Sequence, residues 1–261
     1  MSYMDTKKSI MSKIGDLGNW VAKSLRAQTL IRVLGTPFQK FLDMKGGTHK
    51  YLTEKAVEIL RSDGLTDAAA FFSRWLETII LGNYWADTLW MNSTHHYNPV
   101  TQRGLWVWPS TAEQIRNWWN QSLSQWRCGN EDEAVFLLGA CLHIVQDCCQ
   151  PFHSNGIVFQ GHQDYEKWAD KHKETYDVPE SGLYGVSLTA SGWVVSNAEF
   201  SHGFIDGVTS KDHDKRDSAT RLLLPRAMST SAGFMNFFFE NTAAAPALSE
   251  PKVAAGKVGA G

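Results

Sequence analysis

A histidine and an aspartate stand one helical turn apart at His143 and Asp147, and His162 and Glu166 repeat that spacing. His153 lies between the two pairs, so the string reads H-x3-D-x5-H-x8-H-x3-E. A single histidine on an apolar helix is commonly a hydrogen-bonded core residue. Five imidazole and carboxylate groups paired on neighbouring helices point instead to a bound divalent ion, for which zinc is well suited. The residues around His143 are apolar nearly all round, and a carboxylate buried there must be paired or metal-bound. Three upstream pieces extend the candidate set. Asp87 closes the segment Tyr84-Trp85-Ala86-Asp87, His95 and His96 precede Tyr97-Asn98-Pro99, and His49 falls on the apolar face of a helix start.

Helices must position these groups. Thr48 opens an amphipathic run through Arg61 in which His49, Leu52, Ala56 and Ile59 share a face, and Asp63-Gly64 stops it. Further helices are expected over 66–82, 111–127, 131–149, 162–175 and 218–241, the last as one or two pieces. The 131–149 helix begins with Glu131, Asp132 and Glu133, then turns apolar as a buried central helix does, and Pro151 is expected to end it. Gly139, one turn before His143, leaves room for close approach. Strand signals are weak, and Val186–Val195 reads as a short hairpin or a loop. The expectation is an all-α fold: a basic N-terminal extension over 1–48, a compact helical domain over 49–242 that holds the candidate metal ligands, and a small, Pro/Gly-punctuated disordered tail over 243–261.

Composition narrows the functional classes. The 261 residues carry a net charge of −2, which is the sum of +5 over residues 1–48 and −7 over the remainder. The acidic body offers no basic track for a polynucleotide, so nucleic acid is disfavoured as a partner. Four cysteines, two of them adjacent, make no disulfide framework. There is no apolar run long enough for a transmembrane segment and no Sec-type signal peptide, so the chain is expected in the cytoplasm or exported by a non-classical route, peripheral at membranes. Ile10, Ile14, Leu17, Val21 and Leu25 form a helical apolar stripe within the basic extension. An ordinary packed helix, a lipid-docking helix and a cleft-covering segment are all open for it.

The motifs Thr48-His49, YWAD followed by HHYNP, LLGACLHIVQDCCQPFH and GHQDYEKWAD resemble, in order and spacing, those of the bacterial zinc-dependent phospholipases C. Ser201-His202-Gly203 is a weaker match. The resemblance implies an all-α domain holding two to three zinc ions and cleaving a glycerophospholipid to diacylglycerol and a phosphorylated headgroup. It implies one metal site at Asp87, His95, His143 and Asp147, a second at His153, His162 and Glu166, and a third at His49 with Asp147 bridging. Asp87 is also the candidate general base, with pure ligation the other role open to it. His95 is preferred over His96 because it lies four residues before Pro99. The N-terminal tryptophan that completes the third site in the family has no counterpart in Thr36–Gln39. Thr88 and Asn92 stand where family members carry residues that recognise choline, so no claim for phosphatidylcholine follows. Single-strand zinc nucleases that also cleave 3′-nucleotides share the H-x3-D-x5-H core, but the short x8 gap and Glu166 favour the phospholipase. A metal-stabilised lipid-binding protein without activity is the remaining alternative.

Overall fold

A computed structural model describes residues 47–88, 94–105, 108–159, 161–176 and 178–243. The basic extension up to residue 46, and the tail after 243, lie outside these. Among the described residues the helices run α1 (Thr48–Ser62), α2 (Thr66–Ala86), α3 (Thr111–Arg127), α4 (Glu131–Asp147), α5 (Pro151–Asn155), α6 (His162–His172), α7 (Ala190–His202), α8 (Ile205–Thr209) and α9 (His213–Ala243). There is no β-strand among them, only an isolated bridge between Asn98 and Arg103.

The core is built around α4, whose residues from Ala134 to Asp147 are all buried. Its acidic first turn, Glu131, Asp132 and Glu133, suits the positive end of the helix dipole. α2 and α3 pack along α4, α1 lies between α2 and α9, and α7 packs on α3 and α5. The contact of α2 with α4 is backbone to backbone. A Cβ added to Gly139 would collide with the Ile79 carbonyl, and one added to Gly82 would collide with the Phe136 carbonyl. These glycines bring the helix bearing Asn83, with Asp87 at its end, flush against the helix bearing His143 and Asp147. A second cluster of Phe152, Tyr165, Ala169, Val208, Ala219 and Leu223 seats α5, α6 and α8 against α9.

The structure corrects the expected elements in three places and decides a fourth that was left open. α4 stops at Asp147, and Pro151 opens α5 rather than ending α4. Proline suits a first helical position, where its missing N–H has no intrahelical role, and the Gln150 side chain caps the turn by accepting from Phe152 N at 2.6 Å. The 162–175 stretch is α6 followed by a 3-10 turn over Lys173–Thr175. The C-terminal helix is one piece of 31 residues that runs through Pro225. Val186–Val195 is neither hairpin nor simply loop. Thr189 caps α7 by accepting from Gly192 N at 3.2 Å, and Trp193, Val194, Asn197, Ala198 and Ser201 bury one face. Burial of that face overrides the weak helix propensity of the Ser-Gly-Trp-Val-Val run.

Candidate metal centre

Helical period, capping and one pinned loop bring all eight candidate side chains to one place. His143 and Asp147 share the inner face of α4, with 1% and 7% of their side chains exposed. His49 stands in the first turn of α1, and Asp87 is the residue just past α2. His153 comes from α5, and His162 and Glu166 from α6. His95 sits on the loop before α3, fully buried. That loop is tied down at three points. Tyr97 N donates to the His153 carbonyl at 3.2 Å, Thr111 N donates to the His96 carbonyl at 3.2 Å, and Thr111 Oγ1 donates to the Thr94 carbonyl at 3.1 Å. α3 itself starts firmly, with Ser110 and Glu113 forming a capping box.

Asp147 is the hub. Its Oδ2 lies 2.8 Å from His95 Nδ1 and 3.1 Å from His143 Nε2. Its Oδ1 lies 3.3 Å from His49 Nε2 and 3.8 Å from His153 Nε2. Asp87 Oδ1 closes on the same spot, 3.5 Å from His143 Nε2. On the far side of His153, Glu166 Oε1 is 2.9 Å from His162 Nε2, and the two Nε2 atoms of His153 and His162 face each other at 3.2 Å. Three triads therefore present donor atoms within 4.8 Å of one another: His49, His143 and Asp147; Asp87, His95 and His143; His153, His162 and Glu166.

The outer ring nitrogens of His49, His143 and His153 are already occupied. Nδ1 of His49 faces Gln146 Oε1 at 2.8 Å, Nδ1 of His143 faces Asn83 Oδ1 at 3.2 Å, and Nδ1 of His153 faces the His95 carbonyl at 3.1 Å. Each oxygen accepts, so each Nδ1 donates, and each Nε2 is the ring nitrogen that faces the carboxylates and would offer its lone pair to a cation once it carries no proton. The buried atoms His143 Nε2, His95 Nδ1 and Asp147 Oδ2 approach closely without hydrogen-bond alignment. Electron-pair donors crowded in this way, in a buried place, fit a shared cation. The imidazole and carboxylate set suits zinc.

The electrostatics are those of mutually dependent charges. Burial opposes ionisation of Asp147, but His143 and His153 hold its carboxyl well below the usual range. Burial likewise opposes charge on His143, yet Asp147 and Asp87 beside it raise its pKa to about 10. Glu166 is depressed by His153 and His162 against its own desolvation. His95 is lowered chiefly by burial. His96 is buried, stacks on His153 with centroids 4.8 Å apart, and is pushed down to about 3 by burial and by His153 and His162.

A cavity of about 780 Å³ opens onto this cluster. Asp87, His49, Asp147 and Glu166 line it together with the apolar Leu52, Leu223, Leu224 and Ala227. Lys167 is the one lysine or arginine in its described lining, which also includes Thr88, Tyr84 and Tyr165. Outside the cluster, His202 Nδ1 donates to the Ser154 carbonyl at 3.0 Å, a loop hydrogen bond. Cys148 and Cys149 are buried thiols raised in pKa by that burial.

Sequence reasoning passed over Asn83 and Gln146. The signal was present: each is a polar residue on a face otherwise given to the core, Asn83 one turn before Asp87 and Gln146 beside Asp147.

Residues 48–247 match the family described as zinc dependent phospholipase C. The chain belongs to the zinc-dependent phospholipase C family. It is 24% identical over 236 residues to a phospholipase C of Clostridium perfringens, covering 75% of this chain and 59% of that protein. It is 26% identical over 224 residues to the phospholipase C of Listeria monocytogenes, covering 75% of this chain and 78% of that one. The alpha toxin of Clostridium absonum superposes with a TM-score of 0.66 at 18% identity, over 78% of this chain and 66% of the toxin chain, which shows the shared all-α fold. The chain thus spans less than two thirds of the length of the clostridial relatives.

Membership in a zinc-dependent family gives the pKa of His143 a direct consequence. A ring held protonated to about pH 10 in the metal-free protein must lose that proton before its Nε2 can bind zinc. Zinc binding at pH 7 is expected to release at least one proton, with affinity falling as pH is lowered. Calorimetric titration in two buffers of different ionisation enthalpy checks this, and equal heats in both buffers would contradict it.

Proposed function

We propose that this chain hydrolyses the phosphodiester of glycerophospholipids at a membrane surface, giving diacylglycerol and a phosphorylated headgroup. The observation that carries the reading is Asp147, whose two oxygens face four histidines at a cavity lined in part by apolar side chains. We assign His49, Asp87, His95, His143, Asp147, His153, His162 and Glu166 as ligands to two or three zinc ions, with Asp147 shared between groups.

Zinc in such a site neutralises phosphodiester charge and lowers the pKa of water toward neutrality. The rest falls to the chain. Asp87 is half-exposed at the cavity with its carboxylate 3.5 Å from His143, which holds it ionised well below the usual carboxylate range, so it suits ligation of a cation and can act as a base only weakly. Asp147 and Glu166 stay ionised and offset the cations. No arginine joins Lys167 in the described lining, so the chain's own side chains would supply one full positive charge to a phosphate there. The apolar lining residues Leu52, Leu223, Leu224 and Ala227 suit the apolar part of a lipid. No helix among the described residues is long and apolar enough to cross a membrane. A peripheral enzyme is the version of the reading that fits this.

The test is a hydrolysis panel with the purified protein: phospholipid vesicles of several headgroups, single-stranded DNA, RNA and 3′-nucleotides. Release of diacylglycerol with no cleavage of the nucleic substrates is expected. Nucleic-acid cleavage without lipid hydrolysis would replace the reading with that of a zinc nuclease. Saturating zinc with no activity on any substrate would make it a binding protein.

A further inference from the structure

Gln146 is buried in the last turn of α4 and is charged with nothing in the reaction, yet its side-chain amide makes four hydrogen bonds. Thr53 decides which way that amide points. The Thr53 hydroxyl donates to the His49 carbonyl at 2.8 Å, so its proton is used and only lone pairs face Gln146. Gln146 Nε2 therefore donates to Thr53 Oγ1 at 3.2 Å, and to Ser231 Oγ at 3.1 Å.

With the nitrogen end so placed, Oε1 takes the opposite side. There it accepts from His49 Nδ1 at 2.8 Å and from Asn83 Nδ2 at 3.3 Å. An amide oxygen only accepts, so His49 carries its proton on Nδ1 and turns the Nε2 lone pair to Asp147, 3.3 Å away. Asn83 has spent its NH2 end on Gln146, so its Oδ1 faces His143 Nδ1 at 3.2 Å and imposes the same proton position there. The two rings governed in this way stack with centroids 4.1 Å apart and share the Asp147 carboxylate.

We propose that Gln146 is a positioning residue that sets the tautomer and ring orientation of both His49 and His143, and thereby the zinc affinity of the centre they share. The inference rests on the assignment of these histidines as zinc ligands. An outer hydrogen bond that orients a ligating imidazole contributes about 10–100-fold to metal affinity. Here one amide serves two ligands.

Two variants of the full-length chain separate this role from packing. Gln146→Met keeps the length and removes all four hydrogen bonds. Gln146→Glu keeps an acceptor toward His49 and Asn83 while losing both amide donors. Both lose the bonds to Thr53 and Ser231, so both are expected to melt earlier than the wild type. Zinc affinity, read by competition with a chromophoric chelator, is expected to fall 10–100-fold in Gln146→Met. In Gln146→Glu it is expected to stay within about threefold of the wild type. Imidazole 15N spectra of the zinc-loaded protein are expected to show a slowly exchanging Nδ1–H for His49 in the wild type and to lose it in Gln146→Met.

Wild-type affinity in Gln146→Met would overturn the proposal, and so would a loss in Gln146→Glu as deep as in Gln146→Met. Failure of the wild type itself to bind zinc would contradict the ligand assignment instead. Should Gln146→Met not fold, Thr53→Val removes the acceptor that orients the amide. It is expected to weaken zinc binding about threefold, and unchanged affinity there would also overturn the proposal.

Discussion

Asp147→Asn is expected to lower lipid hydrolysis on the order of 1000-fold or more and to strip zinc from the centre. The substitution is nearly isosteric, so packing in α4 is kept. What it removes is the charge that both carboxylate oxygens direct at His49, His95, His143 and His153, over distances of 2.8 to 3.8 Å. An amide presents one oxygen and one NH2, and the NH2 end would point a donor at ring nitrogens that need a cation between them. No neighbouring acid takes over. Asp87 reaches only the His95 and His143 side, and Glu166 only the His153 and His162 side. Asp217→Asn is the control: Asp217 pairs with Arg221 and Tyr176 away from the centre, and that variant is expected to keep its zinc and its activity. Zinc content by elemental analysis, beside the rate of diacylglycerol release, reads both effects. Asp147→Asn retaining its zinc and more than a tenth of its activity would contradict the hub role.

Gly139→Ala is expected to destabilise the protein by about 3 kcal/mol and to cost activity even in the fraction that folds. A Cβ at this position meets the Ile79 carbonyl of α2, with the Asn83 backbone nitrogen close behind. Neither is a side chain that can rotate away, so α2 and α4 must move apart. Overpacking of this kind costs about 1–3 kcal/mol and occasionally more, and rigid backbone on both sides places the case at the upper end. In a domain of this size the loss corresponds to a drop in Tm of roughly 6–12 °C. The displaced helices are those that carry Asp87 and Asn83 on one side and His143 and Asp147 on the other. A shift near 1 Å in such a constellation costs about 100-fold in rate. Gly203→Ala is the companion control, because a Cβ there meets open space. Thermal unfolding and hydrolysis rates of the two variants check the comparison, and equal stability would contradict the backbone contact.

The parts of this centre that obey helical period could be read from the chain. His143 with Asp147, and His162 with Glu166, fall on common faces because the α-helix repeats every 3.6 residues. Gly139 foretold the close approach for the same reason. Burial of nearly all of α4 was visible in its unbroken apolarity. Other features depended on partners distant in sequence. Gln146 meets His49 across 97 residues and Asn83 across 63, and nothing local announces either contact. The proximity of His153 to Asp147 needed the turn at Gln150 and Pro151, where proline starts a helix instead of ending one. α7 escaped notice because Gly192 and the Val194–Val195 pair have poor helix propensity. Its stability comes from burying Trp193 and Asn197 against α4 and α9 contacts such as Asn197 to Val145 and Thr230, a tertiary term.

The central claim is that one zinc-loaded cluster, joined by Asp147, cleaves phospholipid. It is tested most directly by counting zinc per chain and following diacylglycerol release from vesicles before chelation, after it and after zinc is restored. Two to three zinc ions per chain, loss of hydrolysis on chelation, and recovery in step with the metal returned are expected. Hydrolysis that persists in protein stripped of metal, or a chain that binds zinc fully and never releases diacylglycerol, would contradict it.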